Sequence, residues 1–99
     1  MNHSIGINEG ESWRCEYSLH SVPQDNRTFV TLWCDAMSED EAMDGAKQTM
    51  ARVVTGPITS TRVALAAICH NDFVTGEKYW RAYTRFAFEP TEGSACAQA

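Results

Sequence analysis

Four residues spaced two apart, Tyr79, Arg81, Tyr83 and Arg85, are the side chains of this chain best equipped for binding chemistry. Arginine offers a planar fork of donors and tyrosine a large ring with a hydroxyl, and both types concentrate at binding hot spots. In an extended strand a period of two sends all four to one face. Trp33 and Arg14 join that face if the neighbouring strands hold the register their own alternation suggests. The alternative is an ordinary solvated sheet face, where Tyr–Arg stacking and an Arg–Glu16 pair stabilise the sheet modestly. An aromatic and basic sheet face could also stack the bases of single-stranded RNA. The aromatic-glycine signature of such platforms is missing, and the balance of 13 acidic against 8 basic residues, a formal charge of -5, opposes phosphate binding.

A second cluster is acidic: Asp35, Glu39, Asp40, Glu41 and Asp44. It could imitate phosphates or dock onto a basic groove. Carboxylates are also favoured in a first helical turn for dipole and capping reasons alone. Asp44, further along, has the least structural reason to be acidic, and Asp40 and Asp44 are the candidate contacts of this cluster.

Residues for catalysis or metal binding are sparse. Ser18, His20 and Asp25 have the types of an acyl-transfer triad, without a strained elbow or an oxyanion loop. Cys69 and His70 are neighbours, but alternation points them to opposite faces, which disfavours a nucleophile pair. No phosphate-binding loop, dinucleotide turn or metalloprotease helix occurs. A zinc site built from Cys15, Cys34 and Cys69 with His70 or His20 would lack the close cysteine pairs of structural zinc sites. The expectation is a non-enzyme without metal or cofactor, with those three cysteines filling core positions as small apolar residues and Cys96 an exposed thiol. A disulfide framework is not expected, because no export signal opens the chain and a reducing cytosol keeps thiols free.

The elements that must position these residues are readable from periodicity. Residues 1–10 are polar and glycine-punctuated, a loosely held arm. Trp13–Leu19 alternates, with Trp13, Cys15, Tyr17 and Leu19 on one side, and reads as a strand with one wet face. Ser21–Thr28, with Pro23, Asp25 and Asn26, is a hairpin loop. Phe29–Ala36 is the next strand, antiparallel to the first. Ser38 followed by Glu41 three residues later is a capping box. The helix it opens buries Ala42, Ala46, Thr49, Met50 and Val53 and ends near Val54, before Gly56-Pro57. Ile58–Thr61 is a connector, Arg62–His70 a central strand, Asn71–Lys78 a second loop and Tyr79–Phe88 the last strand. Residues 90–99 form a flexible tail.

The fold expected is therefore α+β: a four-stranded antiparallel sheet in the order β-β-α-β-β with one helix on one face. Residues 11–89 form a single domain, large enough at 99 residues to bury roughly 65% of its unfolded surface. No apolar run reaches the ~20 residues needed to span a bilayer, and the expected location is cytoplasmic. One helix covers only one side of a sheet, so the other side must meet solvent, a second copy or a partner.

In plan, the stretch from Trp13 to Phe88 resembles small phage-encoded anti-CRISPR proteins, through Phe29–Ala36, the alanine-bearing segment Ser38–Val54 with Ala42 and Ala46, and Val63–Cys69. The resemblance is one of shape and size and carries no residue roles with it. It implies an inhibitor that blocks a bacterial CRISPR–Cas complex by occupying a subunit surface or a nucleic-acid channel. The contact surfaces expected are the sheet face (Trp33, Tyr79, Arg81, Tyr83, Arg85) or the helix face (Asp40, Asp44), and the partner a protein. The second class is a homodimeric assembly module that buries the aromatic face against its own copy; a zinc-binding or RNA-binding domain is the third.

Overall fold

The computed structural model describes residues 2–5 and 12–91 of the chain. Its strands and helix run in the order β1 (Asn2–Ile5), β2 (Trp13–Val22), β3 (Arg27–Ala36), α1 (Glu39–Val53), β4 (Ile58–Asn71) and β5 (Lys78–Phe88). The four expected strands form an antiparallel sheet with the helix on one side. A fifth strand, β1, adds to the edge, so the sheet order is β1-β2-β3-β5-β4. Asn2–Ile5, expected to belong to a loose arm, pairs antiparallel with β2, Asn2 opposite Ser18 and Ile5 opposite Cys15. The rest of the expected arm, residues 6–11, and the tail from residue 92, with Cys96, lie outside the described residues.

Two hairpins make the sheet. The first closes through a 3-10 turn at Pro23–Asp25 followed by Asn26, where Pro23 supplies its fixed φ at the first turn position and Asn26 takes the left-handed conformation at φ 51°.

 Strand pairing then runs from Val22 opposite Arg27 to Trp13 opposite Ala36. The second hairpin is β4 with β5, and it docks through β5 against β3, with Thr28 opposite Phe88 and Ala36 opposite Trp80. This docking corrects the expected place of β4. Its apolar, β-branched run suggested a central strand, yet β5 takes the inner position and β4 is an edge. Composition alone does not distinguish the two members of a hairpin, because which one docks is settled by the side chains that meet β3. Ile58–Thr61, expected as a connector, is part of β4, with bulges between Ile58 and Ala66.

The core lies between the sheet and α1. Trp13, Cys15, Val30, Leu32, Cys34, Ala36, Ala82, Phe86 and Phe88 come from alternate positions of β2, β3 and β5 and meet Ala42 and Ala46 of the helix. Ser38 caps α1: its Oγ accepts from the Glu41 N–H at 3.2 Å and donates to Glu41 Oε1 at 2.8 Å. The buried stripe is narrower and smaller than expected. Ala42, Gly45, Ala46 and Thr49 are buried, whereas Met50 and Val53 are half-buried at its margin. Small residues bring the helix axis close to the sheet, and Gly45 sits directly over Cys34 and the Trp13 ring.

Cys15 and Cys34 fill core positions as expected, whereas their bonding and the exposure of Cys69 depart from expectation. Cys15 and Cys34 are directly opposite on β2 and β3, with Cα atoms 4.0 Å apart, and are joined in a disulfide beneath the helix. Cys69 is an exposed free thiol rather than a core residue, because its strand lies at the sheet edge.

Candidate functional site

Register fixes what the side of the sheet away from α1 displays. Three rungs cross it: Arg14, Asp35, Arg81 and Ile68; then Glu16, Trp33, Tyr83 and Ala66; then Ser18, Thr31, Arg85 and Val63. Alternation sends each of these away from the helix. Trp33, Tyr79, Arg81, Tyr83 and Arg85 therefore share one face, as their spacing suggested. Arg85 is exposed and the other four are half-buried.

Arg81 is the hub of this face. Its Nε donates to Asp35 Oδ1 at 2.8 Å and its terminal nitrogen to Asp35 Oδ2 at 2.9 Å. The hydrogen bond to Asp35 raises the Arg81 guanidinium above its ordinary pKa, against a smaller opposing effect of burial. The guanidinium carbon also lies 5.8 Å from the ring centres of both Trp33 and Tyr79, within cation–π range. Tyr79 in turn stacks on His70 of β4, with ring centres 5.3 Å apart and planes inclined by 10°. The result is a continuous aromatic and guanidinium strip from β3 across β5 to the β4 edge.

Two recesses flank the strip. One, about 440 Å³, lies at the end of the sheet between Arg14, Asp35, Met37, Glu77 and Tyr79. The other, about 70 Å³, lies between Phe29, Thr31, Arg62 and Arg85. Alternation along Phe29–Ala36 puts Asp35 on the side of Trp33, yet its charge groups it with the acidic cluster, and neither Asp35 nor His70 is among the contact residues expected from sequence.

Asp40 and Asp44 are exposed on the outer side of α1, opposite its buried stripe. Asp44 accepts from Gln48 Nε2 at 2.8 Å. They are separated from the strip by the thickness of the sheet and the helix, so the two candidate contact sets are separate surfaces. The carboxyl of Glu41, in the same first turn, is held below the usual carboxylate range by hydrogen bonds from the Ser12 and then the Ser38 hydroxyl.

The other sequence candidates are dispersed. Asp25 pairs with Arg27 at 2.8 Å in the first hairpin turn. Cys69 stands opposite Trp80, on the helix side of β4, while His70 faces the open side. Among the described residues, no group of three or more His, Cys, Asp and Glu side chains is gathered as a metal site. No helix among them is long and apolar enough to cross a membrane. No protein-family model matches the chain, and no characterised protein or solved structure matches it either.

Proposed function

We propose that the chain is a non-catalytic protein-binding protein that works by occupying a surface of its partner through the uncovered sheet face. The observation that carries this reading is the strip itself. Arg81 is preorganised by Asp35, the Trp33 and Tyr79 rings flank it, and Tyr83 stands opposite Trp33 on the same side, away from α1. A guanidinium already oriented and aromatic rings already half-buried lose little conformational freedom on binding. Inhibition of a bacterial CRISPR–Cas complex by steric occlusion is the specific form of this reading, and it rests on the resemblance in plan to anti-CRISPR proteins. The acidic outer face of α1, with Asp40 and Asp44, is the second candidate contact.

Two measurements separate the general reading from the specific one. The chain is expressed in bacteria with active CRISPR–Cas interference, and the plating efficiency of a targeted phage is scored. Restored plating that disappears with Tyr83→Ala plus Arg85→Ala supports both readings. No rescue against any interference type removes the anti-CRISPR form. Affinity capture from the same cells with wild-type and double-variant chains then tests binding itself. A captured protein that both chains retain equally would exclude the sheet face. Reversal of Asp40 and Asp44 to lysine tests the helix face, where charge complementarity would appear as slower association and weaker salt dependence.

A further inference from the structure

Among the described residues, the large hydrophobic side chains left exposed are not scattered. They are Met37, Ile58, Val63, Ile68, Phe73 and Val74, and five of these six lie on β4 or in the turn that follows it. Ile68 is 62% exposed, and Phe73 and Val74 are each 94% exposed. The turn that presents Phe73 and Val74 is well tied. Asp72 Oδ1 accepts from the Val74 N–H at 2.9 Å and the Thr75 N–H at 3.3 Å, and Gly76 closes the turn at φ +76°. These two side chains are thus held out in solvent by a built turn. Exposed apolar side chains concentrated along one strand and its turn point to an interaction site.

β4 also has an unpaired outer edge. From Ala66 opposite Tyr83 to Asn71 opposite Lys78 its pairing with β5 is regular. The Asp72 N–H donates to the Glu77 carbonyl at 2.8 Å, so the antiparallel alternation turns the N–H and C=O of Asn71, Cys69 and Ala67 away from β5. Among the described residues no strand lies beyond them. Edge strands are commonly protected by charge, proline or bulges. Bulges interrupt β4 before Ala66, but Ala66–Asn71 has no bulge, no proline and no carboxylate.

We propose that this edge pairs with the same edge of a second copy, antiparallel about a two-fold axis through Ala66–Asn71, to give one continuous ten-stranded sheet. Self-pairing suits this segment because the chain has no acidic residue between Asp44 and Asp72, so no carboxylates are brought opposite one another despite the charge of -5. The only arginine of β4, Arg62, would run toward the turn of the second copy, which carries Asp72 and Glu77. Charges are thereby complementary at both ends of the pairing. The same geometry carries Phe73 and Val74 toward Val63 of the second copy and removes the apolar surface from water. The pairing leaves the Trp33–Arg81 strip open and is independent of the function proposed for it.

Sedimentation velocity over a wide concentration range tests the pairing. A concentration-dependent species of twice 11.0 kDa is expected. Ile68→Lys places two ammonium groups beside the axis and should weaken association by about tenfold or more. Because Ile68 is 62% exposed, this variant keeps the circular dichroism spectrum of the wild type, and its melting temperature matches the wild type at dilutions where both are monomeric. Amide hydrogen exchange gives the second readout: Ala67, Cys69 and Asn71 should be protected at high concentration in the wild type and exchange freely in Ile68→Lys. A strict monomer at the highest attainable concentration overturns the proposal. So does a dimer that survives Ile68→Lys with those three amides unprotected. A dimer lost only on Tyr83→Ala plus Arg85→Ala also overturns it and assigns the contact to the sheet face.

Discussion

Asp35 and Arg81 stand directly opposite each other on β3 and β5, joined by two parallel bonds of 2.8 and 2.9 Å. About a third of each side chain is still exposed, 35% for Arg81 and 32% for Asp35. Solvent screening therefore limits what the pair adds to stability to about 0.2–1 kcal/mol. Its larger effect is orientation, since the fork fixes the guanidinium between Trp33 and Tyr79. Arg81→Lys keeps the charge and loses both the fork and the planar stacking. Urea unfolding should register a loss below ~1 kcal/mol, while affinity for a partner bound on the sheet face falls about tenfold or more. A stability loss several times larger, with affinity intact, would make the pair a structural device and not part of a contact.

Gly45 faces the opposite side of the same sheet, and a methyl group there tests how tightly α1 is seated. In a free helix alanine would gain about 1 kcal/mol over glycine. Here an added Cβ would come 2.5 Å from Cys34 Sγ and 2.6 Å from two carbons of the Trp13 ring. Neither neighbour can yield readily, because the sulfur is bonded to Cys15 and the indole is 2% exposed. Overpacking costs of about 1–3 kcal/mol should prevail, and Gly45→Ala should lower the denaturation midpoint. A midpoint raised by the propensity gain would show that the helix rides higher than described.

The contrast between these two sites shows what the sequence made legible. Period-two alternation placed Tyr79, Arg81, Tyr83 and Arg85 on one face, and the capping pair Ser38 and Glu41 located the helix start, because both signals are local. Pairings between strands needed a register. For Cys15 and Cys34 that register was within reach: a loop from Ser21 to Thr28 already puts those two cysteines opposite each other when counted back along both strands. For Asp35 and Arg81 it was not, since the two residues are 46 positions apart in sequence and their strands meet only once the second hairpin docks. The same docking step decides that β5 is interior and β4 an edge. Strand composition does not encode that choice, since Ala66, Ala67 and Ile68 suit a buried position as well as an open one.

Acid should loosen the start of α1. Glu41 is held below its ordinary value of 4.5, first by the Ser12 hydroxyl and then by that of Ser38. A carboxylate whose pKa is lower in the folded chain binds fewer protons there than when unfolded, so stability rises with pH across that range. The contribution is fully present above the unfolded value and is lost as pH falls through the folded one. Asp72, lowered by the Val74 and then the Thr75 N–H, acts with the same sign, so the comparison must isolate Glu41. The stability difference between wild type and Glu41→Gln should be constant at neutral pH and shrink below the ordinary carboxylate range. A difference that persists unchanged in acid would assign the role of Glu41 to something other than its charge. Ser38→Ala should cost about 1 kcal/mol at neutral pH through the lost cap.

The bond between Cys15 and Cys34 gives the last test, and it can be read by counting thiols. Of four cysteines in the chain, two are consumed by this bond, so two per chain should react in denaturant without reductant and four after reduction. The link spans 19 residues of sequence, and closing a loop of that size in the unfolded chain stabilises the fold by about 3 kcal/mol on the chain-entropy view. The Pro23–Asn26 turn and the pairing of β2 with β3 also hold these strands together. Cys15→Ala plus Cys34→Ala should therefore still fold, at a denaturant midpoint below that of the oxidised wild type, and reductant should move the wild type toward the variant. Four reactive thiols in the absence of reductant, with no shift on reduction, would mean that Cys15 and Cys34 sit side by side unbonded. In that case the tight seat under Gly45 would rest on packing alone.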